Sequence, residues 1–280
     1  MPRLIKPSDT HNSCAAVTFL HHNLQPEKVA GGAGIGPART FSKVPLRAIK
    51  RVPVANRLLA ALPRKEGQRL LASGEQVELA VPEILNEPAE PIRHVYFPTS
   101  STISLVSMVD DRSSLEVELV GNEGMVGVSL ILGVNFSPLR VVVQGSGTAL
   151  RMSAAVFCRE LASSPVLRRV LNRYLYVLLV QLAQTAACTR FHLLDARLAR
   201  WLLMTQDRAH SNEFHLTHEA LARTLGVRRV GVTKAAGLLQ RHKLVSYSRG
   251  DITILDRAGL EAVSCGCYQA VKDSYERVVG

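Results

Sequence analysis

The side chains with the clearest capacity for chemistry are basic and hydroxyl groups in the last quarter of the 280-residue chain. Arg228, Arg229, Thr233 and Lys234 are spaced so that one end of a helix would carry them all. Guanidinium and ammonium groups bind phosphate, and arginine also donates paired hydrogen bonds to a guanine edge. The cluster therefore predicts a polyanionic partner, the alternative being a basic helix that faces only solvent.

A helix–turn–helix is the element that would position this cluster. Thr217 can cap a first helix, and Gly226 then supplies the tight turn that the motif requires. The basic side chains point outward near the N-terminal end of the second helix, which is the part that enters a DNA major groove. The predicted inward stripe of the second helix is Val232, Ala235, Leu238 and Leu239.

Two short strands after this motif predict a β-hairpin wing. They cover residues 244–248 and 252–255, and Arg249-Gly250-Asp251 forms the turn between them. Arg249 on the wing, like Thr217 and His218 at the start of the first helix, is placed to meet a DNA phosphate. The full set of predicted DNA contacts is Thr217, His218, Arg228, Arg229, Thr233, Lys234 and Arg249.

A long helix is predicted before this domain. From Leu167 to Cys188 a first series of residues recurs at alternating spacings of four and three, as in the seam of a two-helix coiled coil. We predict that this series meets a partner helix, with its polar members setting the register; the alternative is a helix buried within a monomer. The predicted dimer contacts are Leu171, Tyr174, Leu178, Gln181 and Thr185. A second apolar set, available to pack on the rest of the chain, is Leu175, Leu179, Leu182 and Ala186.

Residues 56–165 are predicted to form a β-rich domain. Residues 56–71 have apolar residues at helical spacing, interrupted at Pro63, and Ser153 can cap a short helix that reaches Leu161. Between these helices lie short alternating runs separated by Gly, Pro, Asn and Asp, which is typical of an antiparallel sandwich, barrel or roll. Residues 110–112 predict a hairpin turn. The runs are 76–81, 94–97, 103–109, 115–120, 141–143 and 148–152.

Composition and charge narrow the class of protein. The net charge is +11 with a pI of about 9.8, and residues 167–280 contain 17 basic and nine acidic side chains. That excess suits a nucleic-acid-binding module. We find neither a signal peptide nor an apolar stretch of the ~20 residues that a membrane span needs, and we expect a cytoplasmic protein without a membrane partner.

The sequence offers no motif for catalysis or metal binding. The five cysteines include no C-x-x-C pair, and Cys265 and Cys267 are too close in sequence for an ordinary disulfide or a standard zinc pair. Glu116 and Glu118 alternate along a predicted strand as solvated residues do. We therefore expect no metal site and no enzymatic activity.

From about Asn56 onward the sequence resembles the Crp/Fnr superfamily. The resemblance lies in RLARWLL (197–203) and FHLTHEALARTLGVRRVGVTKAAGLLQRHKLVSYSRGDITILDRAGLE (214–261). It implies an α+β fold with an N-terminal antiparallel β-roll (a jelly roll of cyclic-nucleotide-binding type), a long dimerisation helix and a C-terminal winged helix–turn–helix. It also implies a homodimer that binds palindromic double-stranded DNA and regulates transcription, with RNA polymerase as a further candidate partner. The predicted domains are a flexible extension (1–52), the roll (53–165), the helix (166–191) and the winged helix (192–280).

The resemblance also assigns roles within the recognition helix. Arg229 falls at the base-reading arginine, and Lys234 falls at a later basic contact. Val230 stands where relatives commonly have an acidic residue; it cannot accept a hydrogen bond from cytosine N4 but can touch a thymine methyl group. The operator is therefore expected to differ from the best-known consensus of the family.

The sensor lacks the residues that hold a cyclic nucleotide in this family. Gly127 matches the family glycine, but Val128 replaces the ribose-binding glutamate, and Arg140 is displaced with no hydroxyl residue after it. We expect no cyclic nucleotide and no cofactor, and the effector is unknown. The alternative is a cyclic-nucleotide-responsive module that uses a shifted site formed by Glu123, Gly127 and Arg140.

Overall fold

The structure is a computed structural model that describes residues 56–109 and 114–280. The predicted extension (1–52) and the predicted turn at 110–112 lie outside the described residues. None of the helices within the described ranges is both long and apolar enough to span a membrane.

The first part of the described chain is a β-roll flanked by helices. Its two sheets have the strand orders β1-β7-β3 and β2-β6-β4-β5, and every neighbouring pair is antiparallel, which confirms the predicted roll. The strands are β1 (Glu75–Leu79), β2 (Ile84–Asn86), β3 (His94–Pro98), β4 (Thr102–Met108), β5 (Ser114–Val120), β6 (Arg140–Gly145) and β7 (Gly147–Ser153). The helices are α1 (Arg57–Ala60), α2 (Arg64–Ala72) and α3 (Ala154–Ser163), with a 3₁₀ helix at Val128–Leu132.

Alternating apolar residues build the core of the roll. Ile103, Val120 and Val143 are almost fully buried between the two sheets. β2 was not predicted, because a strand of three residues is too short to show an alternation.

Asn56 attaches α1, the first of the two described helices that precede β1, to the roll. Its carboxamide oxygen accepts hydrogen bonds from the amides of Leu58 and Leu59, which caps α1. Its Nδ2 donates to the carbonyls of Pro98 and Gly124, at 3.0 and 2.8 Å. One buried side chain thus satisfies a helix end and two roll carbonyls, and α1 is held against the roll.

The residues predicted to form the dimer seam lie on the long helix α4 (Pro165–Phe191), but the structure buries most of them within the single chain. Leu171, Tyr174, Leu178 and Gln181 are at most 6% exposed within a single chain. Leu171, Tyr174 and Leu178 pack in the same core as Phe97 of the roll. Thr185 is half-buried and its hydroxyl accepts a hydrogen bond from Arg200. The predicted seam is therefore occupied by the chain itself, and the outward face carries the second apolar set, including Leu179 at 66% exposure.

The last part of the chain is a winged helix with two additional helices. It comprises α5 (Leu194–Ala209), β8 (Glu213–His215), α6 (His218–Leu225), α7 (Arg229–Arg241), β9 (Val245–Ser248), β10 (Asp251–Ile254), α8 (Arg257–Val263) and α9 (Cys267–Val278). The predicted helix–turn–helix and two-stranded wing are present, and β8 adds a third strand in the order β8-β10-β9. α9 leaves this domain and packs along α4, where Tyr275 joins the core beneath the roll.

The α5 helix covers β5, which corrects the expectation for Glu116 and Glu118. The Trp201 indole Nε1 donates to the Glu116 carboxylate at 2.8 Å, and Ser104 donates to its other oxygen. Glu118 is only 9% exposed. The two side chains do not lie on a solvent-exposed face, because the face of β5 that they share meets the helical domain.

Candidate nucleic-acid interface

The helix–turn–helix is fixed by its caps and its turn. The Thr217 hydroxyl accepts a hydrogen bond from the Ala220 amide at 3.2 Å and so caps α6. Gly226 ends α6 with φ +63°, in the left-handed region that glycine adopts at little cost. A Cβ there would also lie 2.9 Å from the Leu115 side chain. Thr217 therefore serves α6 itself, in addition to its predicted place near a phosphate.

The inner face of α7 determines which residues it presents outward. Val232 is fully buried and Leu239 is 2% exposed, and both pack with Leu198 and Leu221 of the same domain. Leu238, predicted to be inward, is half-buried. Because this face is held by the core, the opposite face is turned to solvent with a fixed orientation. The exposed residues at its N-terminal end are Arg228, Arg229, Val230, Thr233 and Lys234.

Four exposed cations lie on this outer surface and on the wing turn. Arg228, Arg229, Lys234 and Arg249 take part in none of the ion pairs formed among the described residues. Their charges are therefore available to an external anion. Strongly basic groups on the leading turn of a recognition helix can reach both phosphates and guanine edges.

His218 is the first residue of α6, where it was predicted, and its side chain makes contacts within the motif. Its ring stacks on Tyr247 with centroids 4.4 Å apart, and its Nδ1 lies 3.1 Å from the Thr233 hydroxyl. That hydroxyl donates to the Arg229 carbonyl, so it accepts from His218 Nδ1–H. Burial lowers the pKa of His218 first, and the nearby Arg229 charge lowers it further. A neutral His218 and Thr233 therefore link α6 to α7.

Tyr247 extends this link to the wing and was missed by the sequence prediction. Its hydroxyl donates to the Leu216 carbonyl at 2.6 Å while its ring stacks on His218. The only sequence signal for this role is the residue type, because the ring of a tyrosine on a short strand can pack on a neighbour while its hydroxyl donates a hydrogen bond. Tyr247, His218 and Thr233 together hold the wing and both helices of the motif in one arrangement.

The wing turn is tighter than predicted. Asp251 is the first residue of β10 and pairs with Ser248, so only Arg249 and Gly250 form the turn. Both have positive φ, 52° and 94°, as a two-residue hairpin turn requires. His215 Nδ1 lies 2.7 Å from the Asp251 carboxylate and braces β8 against the turn. This geometry places the Arg249 side chain at the tip of the wing.

The three residues predicted for an effector site are not brought into one pocket. Arg140 is paired with Glu87 at 2.7 Å, and Glu123 is paired with Arg208 at 2.7 Å. Gly127 lines a cavity of about 30 Å³ inside the roll, and Glu123 lines a different cavity. The shifted nucleotide site is therefore not assembled in this structure.

The second cavity lies between β5, α4, α5 and α9 and has a volume of about 290 Å³. Its walls include Glu118, Glu123 and Arg208. Burial raises the pKa of Glu118 to about 8, with Arg208 opposing and Glu123 adding to that shift. Small-molecule sites occupy ~300–1,000 Å³, so this cavity is close to the size of a small polar ligand.

Comparison with known proteins agrees with this geometry. Residues 196–263 match the Crp-like helix-turn-helix domain family. Among solved structures, the chain is similar to a Crp/Fnr-family protein from Eubacterium rectale, with 19% identity, a TM-score of 0.59, and coverage of 74% of this chain and 96% of the other. No curated protein sequence gives a significant match.

Two further solved structures have similar scores. A Crp/Fnr-family transcriptional regulator from Thermus thermophilus is 20% identical with a TM-score of 0.58, covering 68% of this chain and 98% of the other. A global regulator responsive to cyclic di-GMP, from Xanthomonas campestris, is 16% identical with a TM-score of 0.57, covering 69% of this chain and 99% of the other.

The winged helix places the protein among the helix–turn–helix DNA-binding proteins. The matched domain and the fold together confirm the resemblance to the Crp/Fnr transcriptional regulators, with a β-roll before the long helix.

Proposed function

We propose that the protein is a homodimer that binds a palindromic double-stranded DNA sequence and thereby regulates transcription in the cytoplasm. The observation that carries this proposal is a set of exposed cations on α7 and the wing that form no ion pair with any residue the structure describes. The proposed activity is binding without a catalytic step, and RNA polymerase is a candidate partner of the bound complex.

Within the proposed complex, the exposed residues divide into two roles. Arg229 reads a guanine, and Val230, which is 66% exposed, contacts a thymine methyl group. Arg228, Lys234 and Arg249 bind phosphates and supply affinity that does not depend on sequence. His218 and Thr233 support this surface by holding α6 and α7 together.

The outward face of α4 supports the proposed dimer. Leu179 is 66% exposed, Leu182 is 40% exposed and Ala186 is exposed. Together with the half-buried Leu175 they recur at spacings of four, three and four, which is the pattern of a coiled-coil seam. A two-fold axis beside α4 would bury this face and set the distance between the two recognition helices.

A contact between the roll and α5 supports the proposed regulation. Trp201 of the helical domain donates to Glu116 of β5, and the cavity beside Glu118 adjoins the same strand. An effector that favours one packing of β5 against α5 would shift the population of DNA-competent dimers. We propose no cyclic nucleotide for the roll, because the cavity that Gly127 lines has a volume of only about 30 Å³ and Arg140 is paired with Glu87.

Substitution of the proposed base-reading residue tests this function. Arg229→Ala is expected to remove discrimination between the specific operator and random DNA in fluorescence anisotropy, while the protein stays dimeric. Arg241→Ala, at the exposed C-terminal end of the same helix, is the matched control and should retain discrimination. Retained discrimination in Arg229→Ala would exclude the proposed reading of the sequence.

A further inference from the structure

Three cysteines and one histidine meet where the end of α4 contacts the start of α9. Cys188 and His192 are one turn apart at the C-terminal end of α4, and Cys265 and Cys267 flank Gly266 before α9. The Sγ atoms of Cys188 and Cys265 are 3.5 Å apart, and Cys267 Sγ lies 3.4 Å from His192 Nδ1. All four potential ligand atoms lie within 4.8 Å of one another.

These distances suit a single metal ion. With metal–sulfur and metal–nitrogen bonds of about 2.3 and 2.0 Å, a tetrahedral site separates its ligand atoms by roughly 3.5–3.8 Å. A disulfide would need an S–S distance of about 2.05 Å, which is much shorter than the 3.5 Å between Cys188 and Cys265. The ligands of an iron–sulfur cluster bind different irons and are spread more widely, so a mononuclear site fits better.

The groups around the sulfur atoms suit a charged metal centre. Cys188 and Arg200 line the same cavity. Arg200 is 6% exposed and forms no ion pair among the described residues, and its Nε has no hydrogen-bond acceptor there. Gln184 Nε2 donates to Cys267 Sγ at 2.9 Å. A buried cation and an amide donor beside the sulfurs are the environment that a negatively charged metal–thiolate centre needs.

We propose that Cys188, His192, Cys265 and Cys267 bind one zinc ion. A Cys₃His set is a common structural zinc site, and three thiolates around Zn²⁺ leave one negative charge opposite Arg200. The site would join the end of α4 to the start of α9, directly before α5 begins at Leu194. It would stabilise the junction between the long helix and the winged helix, and it does not depend on the proposed DNA function.

The spacing of the ligands explains why no sequence motif indicates this site. Cys188-x₃-His192 is one helical turn, whereas Cys265-Gly-Cys267 is shorter than the usual zinc spacing. The two pairs come together only because α9 folds back along α4.

Metal analysis of the purified full-length protein tests the proposal. We expect one zinc per chain by mass spectrometry, and Co²⁺ in its place should give the visible absorption of tetrahedral cobalt thiolates. Cys267→Ser should lose both signals, whereas Cys158→Ser, which removes a cysteine outside the cluster, should keep both. A folded wild-type chain that binds neither Zn²⁺ nor Co²⁺, or that contains iron with sulfide, would overturn the proposal.

His192 is exposed, so the substitution His192→Ala is not expected to disturb folding. The variant should keep its circular dichroism spectrum but release zinc to a chelator faster than the wild type. Chelation should also lower the melting temperature of the wild type and leave that of Cys188→Ser unchanged. Equal zinc release from wild type and His192→Ala would contradict the assigned ligand set.

Discussion

Glu118 is a buried carboxyl group whose ionisation opposes folding. Its pKa is raised from 4.5 to about 8, because burial on β5 penalises the charged form. Between these two values the folded chain holds a proton that the unfolded chain has released. The free energy of unfolding therefore falls as pH rises through this window, and the contribution of Glu118 becomes constant above it.

The size of this effect follows from the same values. A shift from 4.5 to about 8 corresponds to at most about 5 kcal/mol across the window, at ~1.4 kcal/mol per pKa unit. Water in the adjoining cavity would reduce this figure by solvating the carboxylate. A loss of a few kcal/mol between pH 5 and pH 8 is a large part of the ~5–15 kcal/mol that stabilises a typical domain.

Glu118→Gln removes the titrating group and keeps its shape. We expect the variant to be more stable than the wild type at pH 8.5 and to lose most of the pH dependence between pH 5 and pH 8. Urea unfolding can be followed by the fluorescence of Trp201, the single tryptophan. Some pH dependence should persist, because burial also raises the pKa of Glu116.

Glu78→Gln is the matched control, since Glu78 is exposed on β1. It should leave the pH dependence of stability unchanged. If the wild type shows a flat stability profile over this range, or if Glu118→Gln is indistinguishable from it at pH 8.5, the argument from burial is wrong.

Further predictions concern the dimer, the DNA contacts and the interdomain contact. Leu179→Arg is expected to convert the dimer into monomers in sedimentation velocity, whereas Leu71→Arg, at an exposed leucine of α2, should stay dimeric. Arg249→Ala should weaken binding to all DNA sequences and lower the slope of log affinity against log salt by about two for a dimer; an unchanged slope would exclude the phosphate contact. Val230→Glu should shift base preference toward cytosine in a binding-site selection, because a carboxylate accepts from cytosine N4. Trp201→Phe should lower the free energy of unfolding by about 1–3 kcal/mol, measured by thermal unfolding, because Glu116 loses its indole hydrogen-bond donor. An unchanged free energy of unfolding would show that this hydrogen bond is dispensable.

The elements that the sequence predicted well have local signals. Alternating apolar residues indicated most strands of the roll, and Thr217 and Gly226 marked the ends of α6. The outward position of Arg229 followed from the inward position of Val232, because both lie on one helix of known period.

The predictions that were wrong, and the features that the sequence did not indicate, depend on contacts between distant segments of the chain. α4 has two apolar seams, and nothing in its own sequence tells which seam the rest of the chain covers. Glu116 and Glu118 alternate like surface residues, yet α5 covers their strand face. The cysteine cluster joins residues 77 positions apart, so no local pattern could place Cys188 beside Cys265.

Selection of binding sites from random double-stranded DNA tests the central claim most directly. We expect the wild-type chain to enrich a palindrome whose half-sites are about 34 Å apart, the spacing of successive major grooves on one face of the duplex. Arg229→Ala should bind DNA but enrich no base at the positions that Arg229 reads. If the wild type enriches no sequence, or if Arg229→Ala enriches the same palindrome, the proposed function of this surface is contradicted.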